Sequence, residues 1–79
     1  MPAPVPFHDW PRARQRASVL AIVSNSPHLV SAYDVAGQLG ARYSDVIPVM
    51  AELIGSQLVQ ANGQINAGGQ YVTGYAAVS

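Results

Sequence analysis

Apolar side chains recur at helical spacing early in the chain, where Ala13, Ala17, Leu20 and Val23 form a stripe that Val19 and Ile22 widen until its C-terminal half is apolar on most sides. From Pro11 to Ser24 nothing interrupts this period: Pro11 suits a first turn, where a missing N–H costs little, and Asp9 can cap. The pattern predicts a first helix over 11–24, wedged between other elements and stopped by Asn25-Ser26-Pro27. A second helix is announced by Ser31-Ala32-Tyr33-Asp34, which has the spacing of a capping box, with Val30 and Val35 placed as its hydrophobic staple. Val35, Ala36 and Leu39 would face inward, and Gly40 can take the left-handed conformation that ends it.

The helical period resumes with Val46, Met50, Leu53 and Ile54 and ends near Gly55. Pro48 would cost about 3 kcal/mol in a helix interior, so this third helix is expected to start near Asp45 or Val46, with Pro48 in its first turn. Beyond it the period changes to two. Leu58 to Gln60 reads as a strand, and Gln70 to Tyr75 as a returning one. Two connections compete: a tight hairpin at Asn62-Gly63 pairing 58–61 with 64–67, or a long loop joining 58–61 to 70–75. The second is preferred because Tyr71, Val72 and Tyr75 have more to bury than Asn66 and Ala67. The result is an α+β chain of three helices and a C-terminal β-hairpin, expected over 10–79. Residues 1–9 should form an extended arm, since Pro2, Pro4 and Pro6 alternate there. A free tail and an arm tied down by Phe7 and Trp10 both fit that segment.

Size leaves room for one core, because folding at 79 residues buries roughly 60% of the unfolded chain's surface. Cysteine is absent, which excludes a disulfide staple and a thiolate zinc site. No apolar run approaches the roughly 20 residues of a membrane span, and the first ten residues lack a basic segment followed by an apolar one, so a cytoplasmic location is expected. The formal net charge is zero, from four arginines, no lysine and four acids, where nucleic-acid-binding domains usually carry a basic excess. Arg12, Arg14 and Arg16 make the first helix the positive end.

The positions Ser31-x-x-Asp34-Val35-Ala36-x-x-Leu39-Gly40, then Ser44-x-Val46-x-x-x-Met50-x-x-Leu53, then Leu58-Val59, resemble those of small bacterial and phage winged helix-turn-helix regulators. The resemblance covers most of residues 17–75 and consists of core and turn positions. It implies that the third helix enters the major groove of double-stranded DNA while the hairpin, as a wing, touches the flanking backbone. On this chain those roles would fall to Arg42, Tyr43, Ser44, Asp45, Pro48 and Val49 from the helix and to Asn62, Gln64 and Asn66 from the wing, with Arg12 and Arg16 as further phosphate contacts. Arg12 and Arg16 share a face at i,i+4 and Arg14 does not, so a merely solvated reading of them stands beside that one. At most the four arginines and the N-terminal amine could meet phosphates, giving a salt slope no steeper than about −4 for a monomer. A homodimer would double the charge.

A second class of function competes with DNA. Tyr43, Ile47, Pro48 and Val49 would form an exposed apolar patch suited to a protein partner, and the patch loses its basis if Ile47 and Val49 are buried. Enzyme chemistry finds little support: His8 and His28 are the only histidines, and neither sits in a preorganised base or ligand set. Gly68-Gly69 precedes no helix that could present its N-terminus to a phosphate. No catalytic residue, metal or cofactor is therefore expected.

Overall fold

Local signals set most of the helix boundaries in the computed structural model, which describes residues 5–78. Helix α1 spans Arg12–Asn25, with Pro11 at its N-cap; the Pro11 carbonyl accepts the N–H groups of Arg14 and Gln15 at 3.0 and 3.1 Å. Asp9 does not cap this helix as expected. It belongs to a short 3-10 turn, Phe7–Asp9, and lies 3.5 Å from the His8 imidazole. The buried stripe of α1 keeps the expected Val19 and Val23 but continues through Gln15, while Ala13 and Ala17 face solvent. Two valines have more to bury than two alanines, and Gln15 is satisfied inside because its Nε2 donates to the Phe7 carbonyl at 2.7 Å.

That bond belongs to an anchor. Phe7 is 3% exposed, Trp10 packs on it with ring centroids 5.2 Å apart, and the Trp10 indole N–H donates to the Val5 carbonyl at 2.9 Å. Burying a phenylalanine contributes about 1.5–3 kcal/mol, which offsets part of the cost of ordering the turn. The arm expected over 1–9 is therefore a turn, not extended, at Phe7–Asp9; its first four residues lie outside those described.

Helix α2, Ala32–Leu39, is bounded by the signals its sequence carries. The Ser31 N–H donates to Asp34 Oδ2 at 3.2 Å and the Asp34 N–H to Ser31 Oγ at 3.1 Å, completing the capping box. Gly40 closes it at φ 65°, with the Ala41 N–H returning to the Ala36 carbonyl at 2.9 Å.

Helix α3, Tyr43–Gly55, starts earlier than Pro48 suggests and holds that proline in its interior. The Arg42 N–H donates to Asp45 Oδ2 at 3.4 Å, which favours the early start, and Val46, Val49, Met50 and Leu53, at helical spacing, form the buried face. The ring leaves the Ser44 carbonyl without its i+4 donor, at a residue that is exposed. At the other end Gln57 takes φ 62°, and the Leu58 N–H returns to the Leu53 carbonyl at 2.9 Å, the same closure as at Gly40 but with a side chain in the left-handed position.

Strands β1, Val59–Ala67, and β2, Gln70–Ala77, pair antiparallel in one two-stranded sheet. Neither expected connection is used. The turn is Gly68-Gly69, with φ 62° and 86°, so both central residues occupy the region that two-residue hairpins of type I′ require. Asn62 and Gly63 instead form a bulge opposite Gly74, between the pairs Ala61↔Tyr75 and Gln64↔Thr73. The base of the hairpin is tied to the helices by Val30, whose N–H donates to the Tyr75 carbonyl at 3.2 Å and whose carbonyl accepts from the Tyr75 N–H at 2.7 Å. Val19, Val35, Val46, Val49, Met50, Leu53 and Val59 form the centre of the core. No helix among the described residues is long and apolar enough to cross a membrane.

Candidate functional site

Three separate segments bring the tyrosines together. Tyr43 opens α3, Tyr33 lies in the first turn of α2, and Tyr71 and Tyr75 stand four residues apart on β2 with Thr73 between them. Strand alternation puts Tyr71, Thr73 and Tyr75 on one face of the hairpin, together with Gln64, the partner of Thr73. All four tyrosines of the chain line one cleft of about 230 Å³, with Ser31, Gln64 and Thr73 supplying further polar groups. Tyr33 and Tyr43 are stacked, their ring centroids 4.2 Å apart and their planes 19° from parallel. Both remain accessible, at 55% and 42% exposure, and Tyr71 stands on the hairpin wall at 71%.

The cleft is neutral. No Asp, Glu, Arg, Lys or His lines it. Burial raises the pKa of the Tyr75 phenol above its ordinary value of 10.0, and repulsion from Tyr43 adds to the effect, so near pH 7 this hydroxyl is a proton donor. What the site can offer a ligand is flat ring area, phenolic and aliphatic hydroxyls, and one carboxamide.

The residues singled out by sequence fall in several places. Arg42, Tyr43 and Ser44 are exposed at the start of α3, and Tyr43 and Gln64 line the cleft. Asp45 is half-buried and spends its carboxylate on the Arg42 N–H, while Ser44, Asp45 and Pro48 border a separate hollow of about 160 Å³ beside His8 and Arg12. Val49, expected on the exposed face for either partner, is 0% exposed, because it stands three residues after Val46 and four before Leu53 and so shares their helix face. Ile47 is half-buried against the core, so the apolar patch expected for a protein partner keeps only Tyr43 and Pro48 at the surface. Asn62 sits in the bulge, and Asn66 uses its Oδ1 to accept the Gly69 N–H at 3.0 Å across the hairpin turn.

The arginines of α1 are engaged elsewhere. Arg12 Nε and one Arg16 guanidinium nitrogen each lie 3.1 Å from a different carboxylate oxygen of Glu52 on α3, and the Arg14 guanidinium sits 3.9 Å above the Trp10 ring. Among the described residues no acid pairs with the guanidinium of Arg42.

Sequence reasoning names only Tyr43 of the four tyrosines as a site residue and assigns Tyr71 and Tyr75 to burial; it passes over Tyr33 and Thr73. One signal was present, since Tyr71, Thr73 and Tyr75 alternate and must share a face. A further hollow of about 330 Å³, where α1 ends against β2, holds the single titratable group His28. No group of three or more His, Cys, Asp or Glu side chains among the described residues could hold a metal ion. Comparison with family models, with curated proteins and with solved structures found no match to this chain.

Proposed function

We propose that the chain is a small winged-helix regulator that binds DNA, with the start of α3 directed to the major groove and the β1–β2 hairpin acting as the wing. The observation that carries this reading is convergence. Tyr43, at the exposed start of α3 between the exposed Arg42 and Ser44, and the hairpin face bearing Gln64, Tyr71 and Thr73 line the same open cleft, so a strand following one wall meets donors from the other. Most of those donors are hydroxyls and amides, which hydrogen-bond phosphate and sugar oxygens as well as base edges. A protein partner docked on the apolar face of α3 is disfavoured by the burial of Val49 and half-burial of Ile47.

The test is a titration of isotope-labelled protein with a mixed-sequence duplex at low and at physiological salt, following backbone amides. Shifts should concentrate at 42–45 and 64–73 and leave the Glu52 end of α3 unmoved. Absence of shifts at both salts refutes the reading.

A further inference from the structure

A duplex reader of this charge has too little to hold on with. Among its described residues one arginine, Arg42, is free of a partner, and electrostatic attraction to phosphates supplies most non-specific affinity for DNA. Affinity must come from contacts that do not depend on charge, and the structure concentrates one kind of these in the neutral cleft. The Tyr33–Tyr43 pair is already a two-ring stack with both members open to solvent, and Tyr71 projects from the facing hairpin wall. Aromatic side chains presented in this way are the platforms on which unpaired bases stack, whatever the base, because each has a π-face.

From this geometry we infer that the cleft takes one unstacked nucleobase, so that DNA with a single-stranded extension, rather than a blunt duplex, is the preferred ligand. The inference rests on the nucleic-acid reading above and deepens it. The base continues the Tyr33–Tyr43 stack, and Tyr71 closes over it from the hairpin. Gln64 and Thr73 lie beside the ring, where an amide and a hydroxyl can meet its polar edge. The volume agrees with one flat ring: about 230 Å³ falls below the roughly 300–1,000 Å³ of sites that enclose a whole small molecule. Neutrality agrees too, since the phosphates stay outside, near Arg42, and only the uncharged ring enters.

Affinity is measured by fluorescence anisotropy for three ligands: a blunt duplex, the same duplex with a short single-stranded extension, and that duplex with an abasic extension carrying equal phosphates. The natural extension should bind about 5- to 150-fold more tightly than the blunt duplex, the range measured for one base stacked on an aromatic ring. The abasic extension should lose that gain. Tyr71→Ala should abolish the difference between extended and blunt ligands, and Tyr71→Phe should keep it, because stacking needs the ring and not the hydroxyl. Equal affinity for blunt and extended DNA, or a gain retained by the abasic ligand, overturns the base site and leaves the duplex reading standing. Failure of all three ligands overturns both. So does displacement of the Tyr33, Tyr43 and Tyr71 resonances by a proline-rich peptide alone, which would give the cleft to an extended polyproline segment.

Discussion

The salt dependence of DNA binding is the quantity that the side-chain pairing fixes most sharply. Each phosphate neutralised on duplex DNA contributes about −0.9 to the slope of log affinity against log salt. Counting arginines in the sequence gives four such contacts and a slope of about −3.6, so that affinity would fall about 150-fold between about 50 and about 200 mM salt. In the folded chain Arg12 and Arg16 share the carboxylate of Glu52, and Arg14 lies over Trp10, which leaves Arg42. One contact gives a slope of about −0.9 and a fall of only about 3.5-fold over the same range. A dimer engaging both copies would reach about −1.8, still well short of the sequence count. The perturbation is Arg42→Gln, which should flatten the wild-type dependence almost completely while thermal stability stays unchanged, because the exposed guanidinium has no acidic partner to lose among the described residues. Anisotropy titrations of a labelled duplex at four or more salt concentrations, wild type against variant, provide the assay. A wild-type slope steeper than about −3 would refute the reasoning, since Arg12, Arg14 and Arg16 would then have left their intramolecular partners for phosphate.

Three further outcomes follow from the packing. Gly74→Ala should lower the urea midpoint by the equivalent of about 1–3 kcal/mol at unchanged m-value, because its new Cβ would lie 2.9 Å from Leu29 Cβ, an atom that cannot swing aside; a loss under about 0.5 kcal/mol would mean that the 28–30 segment shifts freely. Gln57→Gly should stabilise by up to about 1 kcal/mol in the same assay by relieving a side chain at φ 62°, and a destabilised variant would show that the loss of unfolded-state restriction outweighs that relief. The Tyr75 pKa is raised in the folded state, so its contribution to stability is complete below the ordinary value of 10.0 and is lost as pH rises through the folded value; thermal melts should weaken above about pH 10 for the wild type and less so for Tyr75→Phe.

Legibility followed the range of the interactions. The limits of α2 were readable because each is decided within four residues, by Ser31 with Asp34 and by Gly40. The start of α3 was not, since Pro48 pointed to a start near Asp45 while the bond from the Arg42 N–H to the Asp45 carboxylate favours one at Tyr43. At the hairpin, Asn62-Gly63 and Gly68-Gly69 are both good turn sequences. The two bonds between Val30 and Tyr75 hold the base of β2, a constraint that arises 45 residues upstream and leaves no local trace. The Glu52 pairs with Arg12 and Arg16 were hidden for the same reason, and so was the cleft, whose tyrosines come from three elements.

The bulge at Asn62-Gly63 divides the hairpin into unequal partners. Below it the sheet is clamped to Val30; beyond it the strands run out to Gly68-Gly69, bonded chiefly to each other and carrying Tyr71. Such a construction would let the outer hairpin move as a jaw on a fixed base while the Tyr33–Tyr43 stack stays with the helices. For the base site inferred above, release would then be slow without formation being slow, since the ligand would meet an open mouth and the jaw would settle afterwards. The ordering cost falls on a few hairpin residues while the core stays as it was.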